Sequence, residues 1–135
     1  MPDLLEKIKN TVYCRLKPSN IEGVGVFAIR AIPKGIDPFV GCEIYGHKLV
    51  HKSRIKKLPR NLAKYIVDMC VCENDHYTVP NAGLNALDIS FYINHSKTPN
   101  METSDGCYFI TLRAIKEGEE LTIDYGTYND EDLKF

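Results

Sequence analysis

Apolar and polar residues alternate along several short runs of the chain, a period of two that is typical of β-strands. The clearest run is residues 107–113, where alternate side chains would lie on opposite faces of a strand: Tyr108, Ile110 and Leu112 on one, Phe109, Thr111 and Arg113 on the other. Shorter runs at residues 11–16, 24–32, 39–45 and 76–79 predict further strands, and residues 81–83 a turn. Strands do not alternate with long helices, so a doubly wound nucleotide-binding fold is disfavoured.

Two segments have the three- and four-residue apolar spacing of a helix. In residues 3–10, Asp3 can cap the N-terminus, Glu6 follows three residues later, and the apolar residues fall on one side. The second segment follows Pro59, which suits the first turn of a helix, and Ser53 is expected to cap a short turn before it. The apolar stripe of this second helix is predicted to face the core and comprises Leu62, Tyr65, Ile66 and Met69.

One sequence pattern occurs twice. Residues 27–35 (FAIRAIPKG) return as residues 110–118 (ITLRAIKEG). In each copy a strand runs into Arg-Ala-Ile, two turn residues and a glycine that can take positive φ, after which a new strand starts. The pair predicts a β-rich domain in which the same strand–turn–strand device is used twice.

Length and composition restrict the class of protein. The chain has 135 residues, the size of one domain spanning residues 1–135, and 44% hydrophobic and 26% charged residues are ordinary for a globular protein. No apolar run approaches the length of a membrane span, and the N-terminus lacks a signal-peptide core. We therefore expect a soluble intracellular protein, cytoplasmic or nuclear, with no membrane partner.

The five cysteines are scattered and odd in number, so a disulfide framework is not expected. Cys70 and Cys72, with His76 nearby, suggest part of a metal site. However, their spacing is not that of a zinc knuckle, and Cys-Val-Cys equally fits a strand with two small apolar residues on one face. We expect no bound metal.

Charge is distributed unevenly, although the net charge is only −1. Residues 44–67 contain no acid but seven bases, namely Lys48, Lys52, Arg54, Lys56, Lys57, Arg60 and Lys64. Residues 117–132 contain no base but seven acids, namely Glu117, Glu119, Glu120, Asp124, Asp130, Glu131 and Asp132. These segments can be two solvated faces, or a surface for an acidic partner and an acidic mouth for a basic peptide. Both interpretations stay open.

Three motifs carry the candidate chemistry: Gly23-Val24-Gly25, Asn94-His95-Ser96 followed by Pro99-Asn100, and GEELTIDYG at residues 118–126. Alone, each fits a turn, a hydrogen-bonded loop or a strand end. In this order, over residues 12–128, they resemble the SET domain family of protein lysine methyltransferases. The resemblance implies a mainly β fold of the SET type (β-clip), with small curved sheets and a C-terminal pseudoknot. A short helical insert would occupy about residues 47–76 and a short tail residues 127–135.

The resemblance also implies residue roles. Gly23-Val24-Gly25 matches the glycines whose exposed backbone approaches the methionine part of the cofactor, S-adenosyl-L-methionine. Asn94 and His95 match the pair that holds this cofactor, the asparagine by its side chain and the histidine largely by its backbone. Tyr125 matches the catalytic tyrosine at the methyl-transfer channel.

The implied reaction is methyl transfer to the side-chain amine of lysine in a protein substrate, for which a histone tail is one candidate. A homodimer is compatible with so small a chain, and specific nucleic-acid binding by the basic stretch is not expected. The alternative is a catalytically inactive SET-fold interaction module, because Phe91-Tyr92 stands where many relatives have Arg-Phe. Ile123 stands where an aromatic residue often influences methyl number, so that number is left unassigned. Tyr128 and Phe135 are candidates for closing the cofactor site, and a loose tail is the alternative.

Overall fold

The structure, a computed structural model, describes residues 3–40, 46–103 and 108–127. As predicted, it is mainly β, with small sheets and few helices. The helices are α1 (Leu4–Thr11), α2 (Lys52–Ile55) and α3 (Arg60–Met69), with 3₁₀ turns at Leu84–Ala86, Ile89–Tyr92 and Tyr125–Thr127. The strands are β1 (Cys14–Pro18), β2 (Val24–Ala28), β3 (His47–His51), β4 (Cys72–Glu73), β5 (His76–Pro80), β6 (Asn94–His95), β7 (Met101–Glu102), β8 (Ile110–Thr111) and β9 (Glu120–Ile123).

The largest sheet has the strand order β1-β2-β9-β6. Strand β9 pairs antiparallel with β2, placing Phe27 opposite Glu120, and parallel with β6, placing Asn94 opposite Thr122. The inward-facing side chains of β2 and β9 form the centre of the main apolar core, where Val26 and Leu121 are both fully buried. The sheet therefore holds the three sequence motifs on neighbouring strands.

The two copies of the repeated pattern meet at a reciprocal pair of backbone hydrogen bonds. Ile32 N donates to Ile115 O, and Ile115 N donates to Ile32 O, each at 2.8 Å. Equivalent bonds run from the glycine of each copy to the other copy: Gly35 N to Thr111 O at 2.9 Å and Gly118 N to Ala28 O at 2.8 Å. Both glycines take positive φ, 82° and 86°. The duplicated device thus forms one symmetric junction that joins the two halves of the chain.

Residues 47–80 form a separate small sheet, of order β3-β5-β4, with α2 and α3 packed beside it. This segment has its own apolar cluster, comprising Ile55, Ala63, Ile66, Val67, Cys70, Cys72 and Tyr77. The side chains of Cys70 and Cys72 are both buried and neither forms a disulfide, which agrees with their interpretation as small apolar residues. Within the described ranges no group of three or more histidine, cysteine or acidic side chains is placed to hold a metal ion.

Several local predictions hold. Asp3 caps α1 by accepting a hydrogen bond from Glu6 N at 2.8 Å, and strand β5 and the turn after it lie where the sequence predicted them. Strand β1 runs two residues further along the chain than expected. Of the parts of the chain that the structure describes, none contains a helix long and apolar enough to cross a membrane.

Other local predictions are wrong. The structure describes residues 108–113 of the run at 107–113, and of these only Ile110–Thr111 form a strand, β8. Phe109 and Thr111 are nevertheless buried, and Tyr108, Ile110 and Leu112 on the opposite face are exposed. In α3, the predicted stripe is rotated, because Leu62 and Tyr65 are 46% and 40% exposed while Ala63, Ile66 and Val67 are buried. His51, not Ser53, caps α2.

Some sequence predictions lie outside the described residues. The candidate strand at 39–45 reaches into residues 41–45, and its described part, Phe39 and Val40, is a turn. The tail residues Tyr128 and Phe135 also lie outside the described ranges, and the C-terminal pseudoknot stays a prediction.

Candidate active site

The residues that the motifs singled out lie together at one end of the main sheet. Gly23-Val24-Gly25 leads into β2, Asn94 and His95 form β6, and Tyr125 follows β9 directly. Because β9 lies between β2 and β6, all three segments are adjacent in space. The structure thus brings together every site residue that the sequence predicted.

The amide of Asn94 fastens the glycine loop to β9. Its Nδ2 lies 2.9 Å from a carboxylate oxygen of Glu120 and 3.1 Å from Ser19 Oγ. The same nitrogen lies 3.1 Å from Glu22 O and 3.2 Å from Val24 O. An amide nitrogen carries only two hydrogens, so these four acceptors share them. The observed contacts of Asn94 are therefore to the loop itself.

Glu120 and Ser19 complete this cluster, and sequence analysis assigned neither to the site. Ser19 Oγ donates to the Glu120 carboxylate, at 2.7 Å from one oxygen and 2.9 Å from the other. It also accepts a hydrogen bond from Ile21 N at 3.0 Å, which fixes the turn before the glycines. Glu120 belongs to the GEEL motif and could have been found from it, whereas Ser19 lies outside every motif and no sequence pattern indicated it.

Gly23 and Gly25 are needed for different reasons. Gly23 has a φ of +49°, and a Cβ added there would meet nothing within 4 Å, so it lies beside open space. A Cβ on Gly25 would lie 2.3 Å from Glu120 Oε2 and 3.1 Å from Asn94 Nδ2. The missing side chain of Gly25 therefore makes room for the Glu120–Asn94 cluster.

His95 and Tyr125 form the second part of the site. Tyr125 N donates to His95 Nδ1 at 3.0 Å, and the two rings lie 5.2 Å apart between centroids. Since Nδ1 accepts this bond, the ring proton of a neutral His95 is on Nε2.

The phenol of Tyr125 is held close to the Asn94 segment. Its hydroxyl donates to the carbonyl oxygen of Ile93, the residue before Asn94. Burial, and next the negative charge of Glu22, raise the pKa of Tyr125 above its ordinary value. The hydroxyl is therefore protonated at neutral pH and can act as a donor.

Asn100 is a structural part of the site that sequence analysis treated as a loop residue. It is 3% exposed, and its Nδ2 donates to Glu120 O at 2.8 Å while its Oδ1 accepts from Thr122 N at 2.9 Å. These two bonds pair with the backbone groups of Glu120 and Thr122 in the way that a neighbouring strand would, and they fix the start of β9. Asn100 thereby sets the position from which the Glu120 side chain reaches the glycine loop.

A cavity of about 600 Å³ adjoins the Tyr125 end of the site. Its lining combines apolar side chains with two carboxylates, Glu102 and Asp124; the apolar residues are Pro99, Met101, Tyr108, Phe109, Ile110 and Leu112. Asp124, which lines the cavity, immediately precedes Tyr125 in the chain, whereas Tyr125 is not itself part of the lining.

The sequence has relatives of known family. A sequence profile described as the SET domain matches residues 23–126. The chain is 34% identical over 136 residues to histone-lysine N-methyltransferase Su(var)3-9 of Drosophila melanogaster, a match that covers 88% of this chain and 20% of that protein. The protein of the same name from Drosophila pseudoobscura pseudoobscura is 32% identical, with the same coverage. The chain thus spans a fifth of the length of these relatives.

Solved structures share the fold. A crystal structure of a Plasmodium falciparum protein described as a histone methyltransferase superimposes with a TM-score of 0.56 at 22% identity, covering 85% of this chain and 94% of that one. A humanized mutant of Chaetomium thermophilum Polycomb Repressive Complex 2, bound to an inhibitor, gives a TM-score of 0.59 at 20% identity, covering 90% of this chain and 16% of that one.

Proposed function

Because this chain belongs to the SET domain family and has its mainly β fold, we propose that it transfers a methyl group from S-adenosyl-L-methionine to lysine in a protein substrate. The observation that carries the proposal is the meeting of the glycine loop, Asn94 and Tyr125 at one end of the sheet. These segments are distant in sequence, and a site for two reactants requires them to be adjacent.

The residues present suit the cofactor. S-adenosyl-L-methionine supplies a methyl group activated on a sulfonium, and its methionine part carries an ammonium group. Gly23 adjoins open space, while the Glu120 carboxylate and neighbouring backbone carbonyls offer hydrogen-bond acceptors. Acceptors of this kind complement a cation. Gly23-Val24-Gly25, Asn94 and His95 would hold the cofactor.

Tyr125 would act at the reacting atoms by hydrogen bonding. A lysine amine has a reference pKa of about 10.4, so well under 1% is neutral at pH 7. Desolvation beside a cation lowers that pKa and favours the reactive neutral amine. The phenol of Tyr125 donates its proton to the carbonyl of Ile93, so its oxygen would accept a hydrogen bond from the amine and orient it without occupying the lone pair that attacks the methyl group. This role needs no change of protonation at Tyr125.

The cavity that Asp124 lines, one residue before Tyr125, supports the proposal of a lysine-bearing substrate. A lysine side chain combines an apolar stem with a cationic head, and the cavity combines apolar walls with Glu102 and Asp124. The Drosophila relatives are named as histone-lysine methyltransferases, so we propose a histone tail as the first substrate to test.

The basic residues of the chain and its small size suggest binding partners other than the substrate. Five bases of the basic stretch have no recorded ion pair within the described residues, namely Lys48, Arg54, Lys56, Lys57 and Arg60. We propose that this basic stretch contacts an acidic partner and does not bind nucleic acid specifically. Duplex DNA binding that weakens steeply with added salt and depends on sequence would contradict this.

Self-association into a homodimer is tested by sedimentation.

The test of the proposed function is Tyr125→Phe with labelled cofactor and histone substrates. Loss of the hydroxyl is expected to reduce turnover about a hundredfold, because one hydrogen-bond partner that orients the amine at the reacting atoms is removed. Cofactor affinity should change little. Tyr65→Phe, which alters a tyrosine of similar exposure on α3, is the matched control. Wild-type turnover in Tyr125→Phe would rule out the assigned role.

An inactive interaction module is the second candidate. Phe91 replaces an arginine common in the family, and it packs against the apolar cluster of residues 47–80. We infer that this departure favours packing of the insert at the expense of the cofactor site. Calorimetry separates the two candidates, since a folded chain that does not bind S-adenosyl-L-methionine would support the interaction module.

A further inference from the structure

Glu120 is a partly buried carboxylate whose recorded hydrogen-bond donors are neutral. Its oxygens accept from Ser19 Oγ, at 2.7 and 2.9 Å, and from Asn94 Nδ2, at 2.9 Å. Among residues 3–40, 46–103 and 108–127, no lysine, arginine or histidine nitrogen forms an ion pair with it. Its negative charge is thus held by two dipoles and balanced by no cation from this part of the chain.

The neighbouring carboxylate shows the contrast. Glu119 is paired with Arg113, whose second guanidinium nitrogen lies 3.2 Å from Glu119 Oε1. Withdrawing a carboxylate from water is costly unless a cation or several donors compensate it. Glu119 is compensated within the fold, whereas Glu120 leaves a site of negative potential beside the glycine loop.

Glu120 lies beside the glycine loop, where its charge can face a bound ligand. Its Oε2 occupies the space over Gly25 that a side chain would fill, and the adjacent Gly23 borders open space. Asn94 Oδ1 has no recorded donor among the described residues, which leaves it as an acceptor in the same place. Two acceptors beside the glycine loop, one of them charged, suit an ammonium group.

We propose that Glu120 is a positioning residue for the cofactor, and that its charge, fixed by Ser19, complements the ammonium group of the cofactor's methionine part. This inference rests on the proposed function. It assigns to Glu120 a role in affinity and orientation, and it makes Ser19, outside every sequence motif, a support for that role. A purely structural link between the loop and β9 is the competing explanation.

A cycle of protein and ligand changes separates the two explanations. Calorimetry would measure binding of S-adenosyl-L-homocysteine and of its analogue without the amino group to wild type, E120Q and S19A. E120Q keeps the size of the side chain and removes its charge. E117Q removes an exposed charge three residues away and is the matched control. Thermal unfolding of each variant confirms that it is folded at the temperature used.

If the charge acts on the ammonium, E120Q should bind S-adenosyl-L-homocysteine about tenfold more weakly, the scale of one charge-assisted hydrogen bond. Its affinity for the analogue without the amino group should change less than about twofold. S19A should also weaken binding of S-adenosyl-L-homocysteine more than binding of the analogue, but by a smaller factor than E120Q. E117Q should bind both ligands as wild type does.

Two results would overturn the inference. Equal weakening of both ligands by E120Q would mean that Glu120 is only a structural link, and unchanged binding of both would mean that it has no role. Wild-type protein that binds neither ligand would instead remove the proposed function, and this inference with it. The two failures can be told apart. If the wild-type protein binds the cofactor and methylates, but E120Q weakens both ligands equally, only the inference about Glu120 fails and the proposed function stands.

Discussion

At the residue scale, Gly23 and Gly25 differ in what an added methyl group would contact. Gly25→Ala should push the Glu120 carboxylate away from Ser19 and Asn94, because the new Cβ would lie 2.3 Å from Glu120 Oε2. We expect at least about a tenfold loss of affinity for S-adenosyl-L-homocysteine and about 1–3 kcal/mol of lost stability. Calorimetry and urea unfolding measure the two effects.

Gly23→Ala is the natural comparison for that variant. Its Cβ would meet nothing within 4 Å, so only the cost of a φ of +49° applies, about 1–2 kcal/mol. Cofactor affinity should stay closer to that of wild type than in Gly25→Ala. The opposite order of affinities would show that Gly25 is not reserved for the Glu120–Asn94 cluster.

At the scale of elements, the junction between the repeated segments should behave as one unit. Ile32 and Ile115 are each 1% exposed and exchange two backbone hydrogen bonds. Ile115→Ala should cost about 3 kcal/mol, because it leaves a cavity in the main core. Hydrogen exchange should then accelerate at the Ile32 amide as much as at residue 115.

Ile110→Ala is the control for the junction, since Ile110 belongs to the same repeat and is 42% exposed. It should cost less than about 1 kcal/mol and leave the Ile32 amide protected. If Ile115→Ala changed exchange only near residue 115, the two copies would be independent turns.

At the scale of the whole molecule, the buried thiol of Cys70 makes the stability of the fold depend on pH in the alkaline range. Burial raises the pKa of Cys70 to about 11, against an ordinary value of 9.0. The folded chain therefore keeps the neutral thiol while the unfolded chain ionises. This stabilisation is complete below pH 9 and is lost as pH rises towards about 11.

The expected loss is about 2 kcal/mol in the free energy of unfolding across that interval. Urea unfolding of wild type and Cys70→Ala at both ends of the range measures it, and the difference isolates this thiol from other titrating groups. An equal pH dependence of the two proteins would mean that Cys70 is accessible to solvent in the folded state.

The two apolar clusters also belong to this scale. The main core includes the inward-facing residues of the large sheet, and Ile89 and Tyr92 of the 3₁₀ turn before β6 pack against it. The second cluster lies within residues 47–80. Phe91 packs on the second cluster, while Ile93 two residues later is in the first. The short segment that leads into Asn94 therefore connects the insert to the candidate active site.

The sequence by itself determined the features that depend on near neighbours and on motif order. The Asp3 cap needs only Glu6 N within reach, and positive φ at Gly35 and Gly118 follows from the turn that each copy encodes. The order of the three motifs identified the family. With it came the expectation that Gly23-Val24-Gly25, Asn94 and Tyr125 would meet, and the pairing of β9 with β2 and β6 places them together.

Only the tertiary structure decided which side of each element is buried and which distant residues are in contact. Periodicity could not say which side of α3 is buried, because Ala63 fits against the insert sheet while the larger Leu62 and Tyr65 remain outside. The contacts of Ser19 and Asn100 with Glu120 cross 101 and 20 residues of sequence. Hydrogen bonds over such distances are set by strand order, which the local pattern of side chains does not encode.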